Sequence, residues 1–288
     1  MTISWSQPRT AATARAACAA LLLVLGGCAG SSGAVQGDPG LVHVHGLGEE
    51  PGSGTVFAAT HTGLFRIAPG GPPERVGEYF HDLMGFTVLE SGEMLASGHP
   101  DLRAADLQRE GAPPLLGLVT SRDGVEWTPR SLLGEVDFHT LSTASGTVYG
   151  LDATTGQVLA SDDLQTWEAR SREPLTDLAV DPQDPDVVVG TGEDGVVRST
   201  DGARTWSSAG TDALAWLTWA EHGLYGVAAN GTVMASDDGG STWEPRGGLG
   251  PEVEAFEAVP SGRLLAADGA GVQASEDGGV TWTAVASS

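Results

Sequence analysis

Five short stretches constrain this chain more than anything else in it. SRDGVEW begins at Ser121, SDDLQTW at Ser161, STDGARTW at Ser199, SDDGGSTW at Ser236 and SEDGGVTW at Ser275. Successive starts lie 40, 38, 37 and 39 residues apart, and recurrence near 40 residues marks a propeller or a solenoid. Within one period, residues 175–208, the runs LTDLAVDP, DVVVGTG, GVVRST and TWSS are separated by QDP, ED and DGAR. Four short strands per repeat make a propeller blade. In the recurring turn the aspartate is placed to accept backbone N–H bonds across a hairpin. Gly takes positive φ there and Trp packs beneath the sheet. Asp123, Asp163, Asp201, Asp238 and Asp277 are therefore read as structural.

Counting backwards adds two units without a clean turn motif. Residues 81–127 run HDLMGFTVLE, EMLASGHP, LGLVTSRDG, VEW, and residues 41–79 run LVHVHGL, TVFAATH, GLFRIAPGG, ERVGEY. Six units fill Leu41 to Val285. The expected fold is all-β, a six-bladed β-propeller of four-stranded blades over residues 41–288. A seventh blade would need a unit the sequence does not show.

The N-terminus reads differently. Arg9 and Arg15 precede an apolar run, Ala16 to Leu25, that closes on Leu25-Gly26-Gly27-Cys28. Ten apolar residues are too few to span a bilayer, and the pattern is that of a signal peptide over residues 1–28. Its ending resembles the bacterial lipobox, which implies a lipidated Cys28, a membrane anchored through that lipid and an extracytoplasmic address. Residues 29–40, rich in Gly, Ser and Ala, read as a flexible tether. With Cys18 removed and Cys28 acylated, neither cysteine of the chain is left for a disulfide. The formal charge is −24 and all 14 basic residues are arginine. No cluster of positive charge suits a phosphate backbone, so nucleic acid is not an expected partner. A monomer is expected.

With the repeats in place, the chain resembles the Asp-box (BNR-repeat) propellers. HVHGL at 43–47, ATHTGLF at 59–65, DLMGF at 82–86, SGHP at 97–100 and DFHTL at 137–141 are similar to one bacterial family of exported proteins. That family is usually labelled glycosyl hydrolase or exo-alpha-sialidase, and the resemblance implies that fold and that activity. Sialidase chemistry needs three arginines to clamp a carboxylate, a Tyr nucleophile paired with Glu, and an Asp acid/base. Only Phe65-Arg66-Ile67-Ala68 tempts, and GLFRIAPGG aligns with GVVRSTDGA at 195–203, which puts Arg66 in a third strand away from the channel. Tyr149 and Tyr225 match as second-strand packing residues. No complete catalytic set is visible, and shared fold does not transfer activity.

Six of the seven histidines fall between 43 and 139. Inner strands aligned on VHGL, LMGF, FHTL, DLAV, WLTW and FEAV place His45, Met84, His139, Leu178, Leu217 and Glu257 at the second position. Two residues earlier on that face come His43, Asp82, Asp137, Thr176, Ala215 and Ala255. His61 and His99 fall at the second-to-third-strand turns, which share a mouth with the inner-strand starts. One mouth thus gathers imidazoles and carboxylates, the make-up of a functional pocket. Three readings are open: a hydrogen-bonded network joining inner strands, a transition-metal site, or glycan chemistry with Asp82 and Asp137 as the carboxylate pair. A small-molecule, glycan or protein ligand remains compatible. His81, of opposite parity, should point away from the channel, and His222 should sit in an exposed turn. The insertion 99–115 is placed at the same mouth, as a lid or a partner-binding loop.

Overall fold

The computed structural model describes residues 38–287. The leader, Cys28 and most of the tether lie outside them. Six four-stranded antiparallel sheets follow one another along the chain. Blade 1 is β1 (Val44–Glu49), β2 (Val56–Thr60), β3 (Gly63–Ile67) and β4 (Pro73–Val76); blade 2 is β5 (Asp82–Val88), β6 (Met94–His99), β7 (Leu118–Ser121) and β8 (Thr128–Ser131). Blade 3 is β9 (Phe138–Ala144), β10 (Thr147–Asp152), β11 (Gln157–Ser161) and β12 (Glu168–Ser171). Blade 4 is β13 (Asp177–Asp181), β14 (Asp184–Gly192), β15 (Gly195–Ser199) and β16 (Ser207–Gly210). Blade 5 is β17 (Leu214–Ala220), β18 (Gly223–Ala228), β19 (Thr232–Ser236) and β20 (Glu244–Gly248). Blade 6 is β21 (Val253–Ala258), β22 (Leu264–Asp268), β23 (Gly271–Ser275) and β24 (Thr283–Ser287). The protein is a six-bladed β-propeller, and no α-helix occurs among the described residues.

Blades have two buried faces, so their middle strands read as short continuous apolar runs, such as Val187-Val188-Val189 of β14. The core is divided into six apolar clusters, one in each gap between neighbouring blades. Each turn-motif tryptophan packs into the gap with the preceding blade: Trp127, Trp167, Trp206, Trp243 and Trp282. The motif itself is bonded as the sequence requires. In the last copy, Asp277 Oδ1 accepts from the N–H groups of Val280 (3.1 Å) and Thr281 (2.9 Å) and from Ser275 Oγ (2.8 Å). These bonds pull Asp163, Asp201, Asp238 and Asp277 down to about 2.

The inner strands β1, β5, β9, β13, β17 and β21 leave one backbone edge facing the axis, and its donors need partners. The neighbouring blade supplies them. Phe138 N–H bonds Ser97 Oγ at 2.9 Å, Val180 N–H bonds Ser142 Oγ at 3.2 Å, and Ala258 N–H bonds Thr218 Oγ1 at 2.8 Å. Neighbouring inner strands approach so closely that a Cβ on Gly85 would stand 2.6 Å from Phe138 O, and one on Gly46 would stand 2.8 Å from Phe86 Cβ. This is why glycine follows His45 and Met84.

The ring closes without strand exchange, since blade 1 is wholly N-terminal and blade 6 wholly C-terminal. Blade 1 has no turn-motif tryptophan for that gap. Its contribution is Phe65, Ile67, Val44 and Leu47 against Ala255, Leu265 and Val272. Polar bonds complete the seam: Glu254 Oε2 accepts from Val44 N–H at 2.9 Å, and buried Glu49 accepts from Arg263 Nε at 2.9 Å and Ser261 Oγ at 3.1 Å. Arg263→Ala strands the Glu49 carboxylate in this seam and should cost roughly 3 kcal/mol. The exposed Arg66–Glu74 pair of blade 1 is the control, and Arg66→Ala should cost less than about 1 kcal/mol. Denaturant unfolding of both variants checks the contrast.

Candidate metal centre

Each inner strand except β13 carries a bulge near its start where it pairs with its second strand, whereas β13 shifts register only at its far end, between Val180 and Asp181. The skipped residues are His45, Met84, His139, Ala215 and Glu254. A bulge re-aims the extra side chain, and here it turns His45 and His139 into the channel mouth. The bulge also corrects the alignment in blades 4 to 6. The counterparts of Val44-His45-Gly46-Leu47 are Leu175 to Leu178, Leu214 to Leu217 and Val253 to Phe256, two residues earlier than the sequence pattern placed them in blades 4 and 5 and three earlier in blade 6. Leu47, Phe86, Leu141, Leu178, Leu217 and Phe256 then form one apolar ring around a narrow cavity of about 50 Å³.

Above that ring a mouth of about 490 Å³ is lined by His43, His45, His61, Asp82, Met84, His99, Asp137, His139, Ala153 and Thr154. The structure brings together seven residues singled out from the sequence, but not equally. Asp82 opens β5 and sits at the centre. Its Oδ1 is 3.4 Å from His45 Nε2 and 3.1 Å from His61 Nδ1, and its Oδ2 is 3.4 Å from His99 Nδ1. Asp137, just ahead of β9, places Oδ2 3.1 Å from His139 Nε2 and 3.5 Å from His99 Nε2. His43 stands apart. Its backbone is left-handed at φ 50°, its side chain is 72% exposed, and its nearest acid is Glu254 at 3.9 Å. It precedes β1 and stacks on His45 with ring centroids 6.2 Å apart.

The electrostatics follow from this packing. Burial alone would raise the Asp82 carboxyl, but the imidazoles of His45, His61 and His99 outweigh burial and hold it below its ordinary value. The bond to Asp137 raises His139, against a partial offset from burial. His45 Nε2, Asp82 Oδ1 and Asp137 Oδ1 are buried without a properly directed hydrogen bond. His45, His61 and Asp82 each offer a donor atom within 4.8 Å of the others, the spacing of a metal-binding trio.

Other expectations resolve variously. His81 points away from the channel: it is buried, packs on Tyr79, and accepts the Asp101 N–H at Nδ1 at 3.0 Å. His222 is exposed in the β17–β18 turn. Of the insertion 99–115, only His99 lines the mouth. Its Ala104 and Leu107, with Leu116 just beyond it, are buried in the gap between blades 1 and 2. Trp216 and Trp219 fill gaps on opposite sides of blade 5. Arg66 lies on β3, paired with Glu74, and the Tyr149 hydroxyl bonds Pro185 O at 2.8 Å. Neither can serve sialidase chemistry at the channel.

Sequence reasoning missed Asp177. It lines the narrow cavity one residue ahead of Leu178, buried, accepting from Leu217 N–H (2.8 Å), Leu178 N–H (2.9 Å) and Thr140 Oγ1 (3.1 Å). Glu257, expected at the mouth, lines the narrow cavity instead, because the blade 6 pattern was placed three residues late. Burial pushes Asp177 up to about 7, and burial together with Asp177 pushes Glu257 well above the ordinary range.

The class of protein these elements define is a six-bladed propeller with a His/Asp mouth. No protein-family model matches the chain, and no curated protein matches it in sequence. In fold it is similar to a gluconolactonase from Xanthomonas campestris, with TM-score 0.63 and 11% identity over 81% of this chain and 85% of that one. A chain of the nidogen/laminin complex gives TM-score 0.59 and 11% identity over 76% and 88%. The propeller domain of Doa1 gives TM-score 0.58 and 11% identity over 84% and 81%. These are likenesses of fold.

The channel acids make a prediction of their own. Carboxyls raised in the folded state stabilise it below their ordinary range near pH 4, and that stability is lost as pH rises through about 7. The turn-motif aspartates titrate lower, near 2, so their loss falls in a separate window. Glu257→Gln keeps the neutral form. Thermal melts should coincide with wild type at pH 4, and the variant should melt higher at pH 8.

Proposed function

We propose that this protein is an extracytoplasmic lipoprotein, held to the membrane through Cys28, whose propeller binds a divalent transition metal at the His/Asp mouth. The trio His45, His61 and Asp82 carries this reading. Imidazole with carboxylate suits zinc, and copper or iron are within the same chemistry. The donors come from three different elements: the β1 bulge, the β2–β3 turn and the start of β5. Convergence of this kind is what a ligand site requires and what strand packing does not.

A purely structural network is the competing account. It would leave buried His45 Nε2 and Asp82 Oδ1 facing each other at 3.4 Å without a directed hydrogen bond, and Asp137 Oδ1 without one, and a buried polar group left unbonded costs about 1–3 kcal/mol. A metal ion bound by the first two atoms removes much of that penalty. Glycoside hydrolysis with Asp82 and Asp137 is less well supported. A general-acid carboxyl needs its pKa raised, and Asp82 is held low by three imidazoles. The likeness to Asp-box propellers labelled as glycosyl hydrolases therefore supports the fold and the export signal more than it supports that activity.

Elemental analysis of the purified full chain tests the reading. Cys18→Ser and Cys28→Ser remove both thiols so that only His and carboxylate ligands are counted. The expected result is near-stoichiometric zinc, copper or iron that is lost in His45→Ala/His61→Ala. A metal-free protein after incubation with each ion sinks the proposal. Bound metal should also be shed as pH falls through the imidazole range, because ligand nitrogens must be unprotonated.

A further inference from the structure

We propose that the mouth holds a second metal ion, bound by His99 Nε2, His139 Nε2 and Asp137 Oδ2, and coupled to the first through Asp82. The inference rests on the metal reading above and adds to it the number of ions and the link between them.

The distances point to two groups rather than one. Donors around a tetrahedral zinc at about 2.0–2.1 Å stand roughly 3.4 Å from each other. Around Asp82 Oδ1 the contacts are 3.4 Å to His45 Nε2 and 3.1 Å to His61 Nδ1. Around Asp137 Oδ2 they are 3.1 Å to His139 Nε2 and 3.5 Å to His99 Nε2. Two carboxylates therefore each face two imidazole nitrogens at ligand–ligand spacing. Among the described residues only His45, His61 and Asp82 have donors all within 4.8 Å of one another, so the six donors do not close around one point as they stand.

His99 decides how the groups are connected. Its Nε2 faces Asp137, while its Nδ1 is 3.4 Å from Asp82 Oδ2. An imidazole that ligates through one nitrogen commonly donates its other N–H to a carboxylate, which orients the ring and makes it a better ligand. Asp82 then acts twice: Oδ1 is a ligand of the first ion, and Oδ2 is the orienting partner of a ligand to the second. This explains why a single carboxylate stands among three imidazoles.

The second trio is less closed than the first, which alone has all three donors within 4.8 Å of one another. The difference falls on the two more exposed rings. The His99 and His139 side chains are 42% and 41% exposed, whereas that of Asp137 is 8% exposed and fixed. Asp137 also keeps its buried Oδ1 without a hydrogen-bond partner. Closing the proposed site requires the His99 and His139 rings to turn toward Asp137.

Zinc titration of the metal-stripped full chain carrying Cys18→Ser and Cys28→Ser, followed by calorimetry, counts the ions. Two equivalents are expected. His139→Ala should leave one, and His61→Ala should also leave one. Asp82→Ala should abolish the first ion and weaken the second by about 10–100-fold, the usual effect of losing an orienting partner. Circular dichroism of each variant checks the fold, and His139→Gln replaces any His139→Ala protein that does not fold. One equivalent in the parent, unchanged by His139→Ala, overturns the second site and leaves the metal reading standing. No zinc at all overturns both.

Discussion

The closeness of the inner strands at the axis governs the rest of this molecule. Six strands meet around a cavity of about 50 Å³, so near that Gly46 and Gly85 have no room for a Cβ. Leu47, Phe86, Leu141, Leu178, Leu217 and Phe256 plug what space remains. A ligand cannot pass through such an axis. Chemistry is confined to the mouths, where the strands diverge, and a bulge at the start of the inner strand is the device that turns a side chain into that space. His45 and His139 owe their positions to it.

The same crowding explains why polar groups appear where an apolar core might be expected. Axis-facing backbone donors must be satisfied in each blade, and the partners are side chains of the neighbour: Ser97, Ser142, Thr218, Glu254 and Asp177. Asp177 joins three blades at once, through Thr140, Leu178 and Leu217. Such bonds fix each blade's height against the next. They hold the two mouth carboxylates, at the starts of neighbouring blades, in constant relation.

The repeats were legible because their signals are local. A turn whose aspartate bonds its own backbone, followed by a tryptophan for the gap behind it, can be read in eight residues. The gathering of His45, His61, His99, His139, Asp82 and Asp137 was legible too, because hairpin topology alone assigns turns to mouths. What failed needed knowledge of packing. Blades 4 to 6 lack the glycine that marks the bulge in VHGL and LMGF, so DLAV and WLTW were aligned two residues late and FEAV three. Parity survived the slip in blades 4 and 5 but not in blade 6, and Glu257 was placed at the mouth when it lies beside Asp177. The insertion was misread for a similar reason: Leu107 and Leu116 are apolar, and an apolar loop beside an open gap between blades fills the gap.

Asymmetry around the ring is what turns a repetitive fold into a site. At the bulge position blades 1 and 3 carry imidazoles and blade 2 carries Met84, whereas blade 5 carries Ala215 and blade 6 carries Glu254, which is spent on sealing the ring to Val44. Blades 1 to 3 thus hold every imidazole of the mouth, and their carboxylates are its most buried donors. Asp137 is 8% exposed while His61, His99 and His139 are 41–61% exposed, an arrangement in which a buried anion can fix where a cation sits and outer rings can close on it. Hydrogen bonding alone would not need that division, since strand-joining bonds elsewhere in the ring are made by single hydroxyls or carboxylates bonded directly to backbone N–H groups, with no imidazole among them.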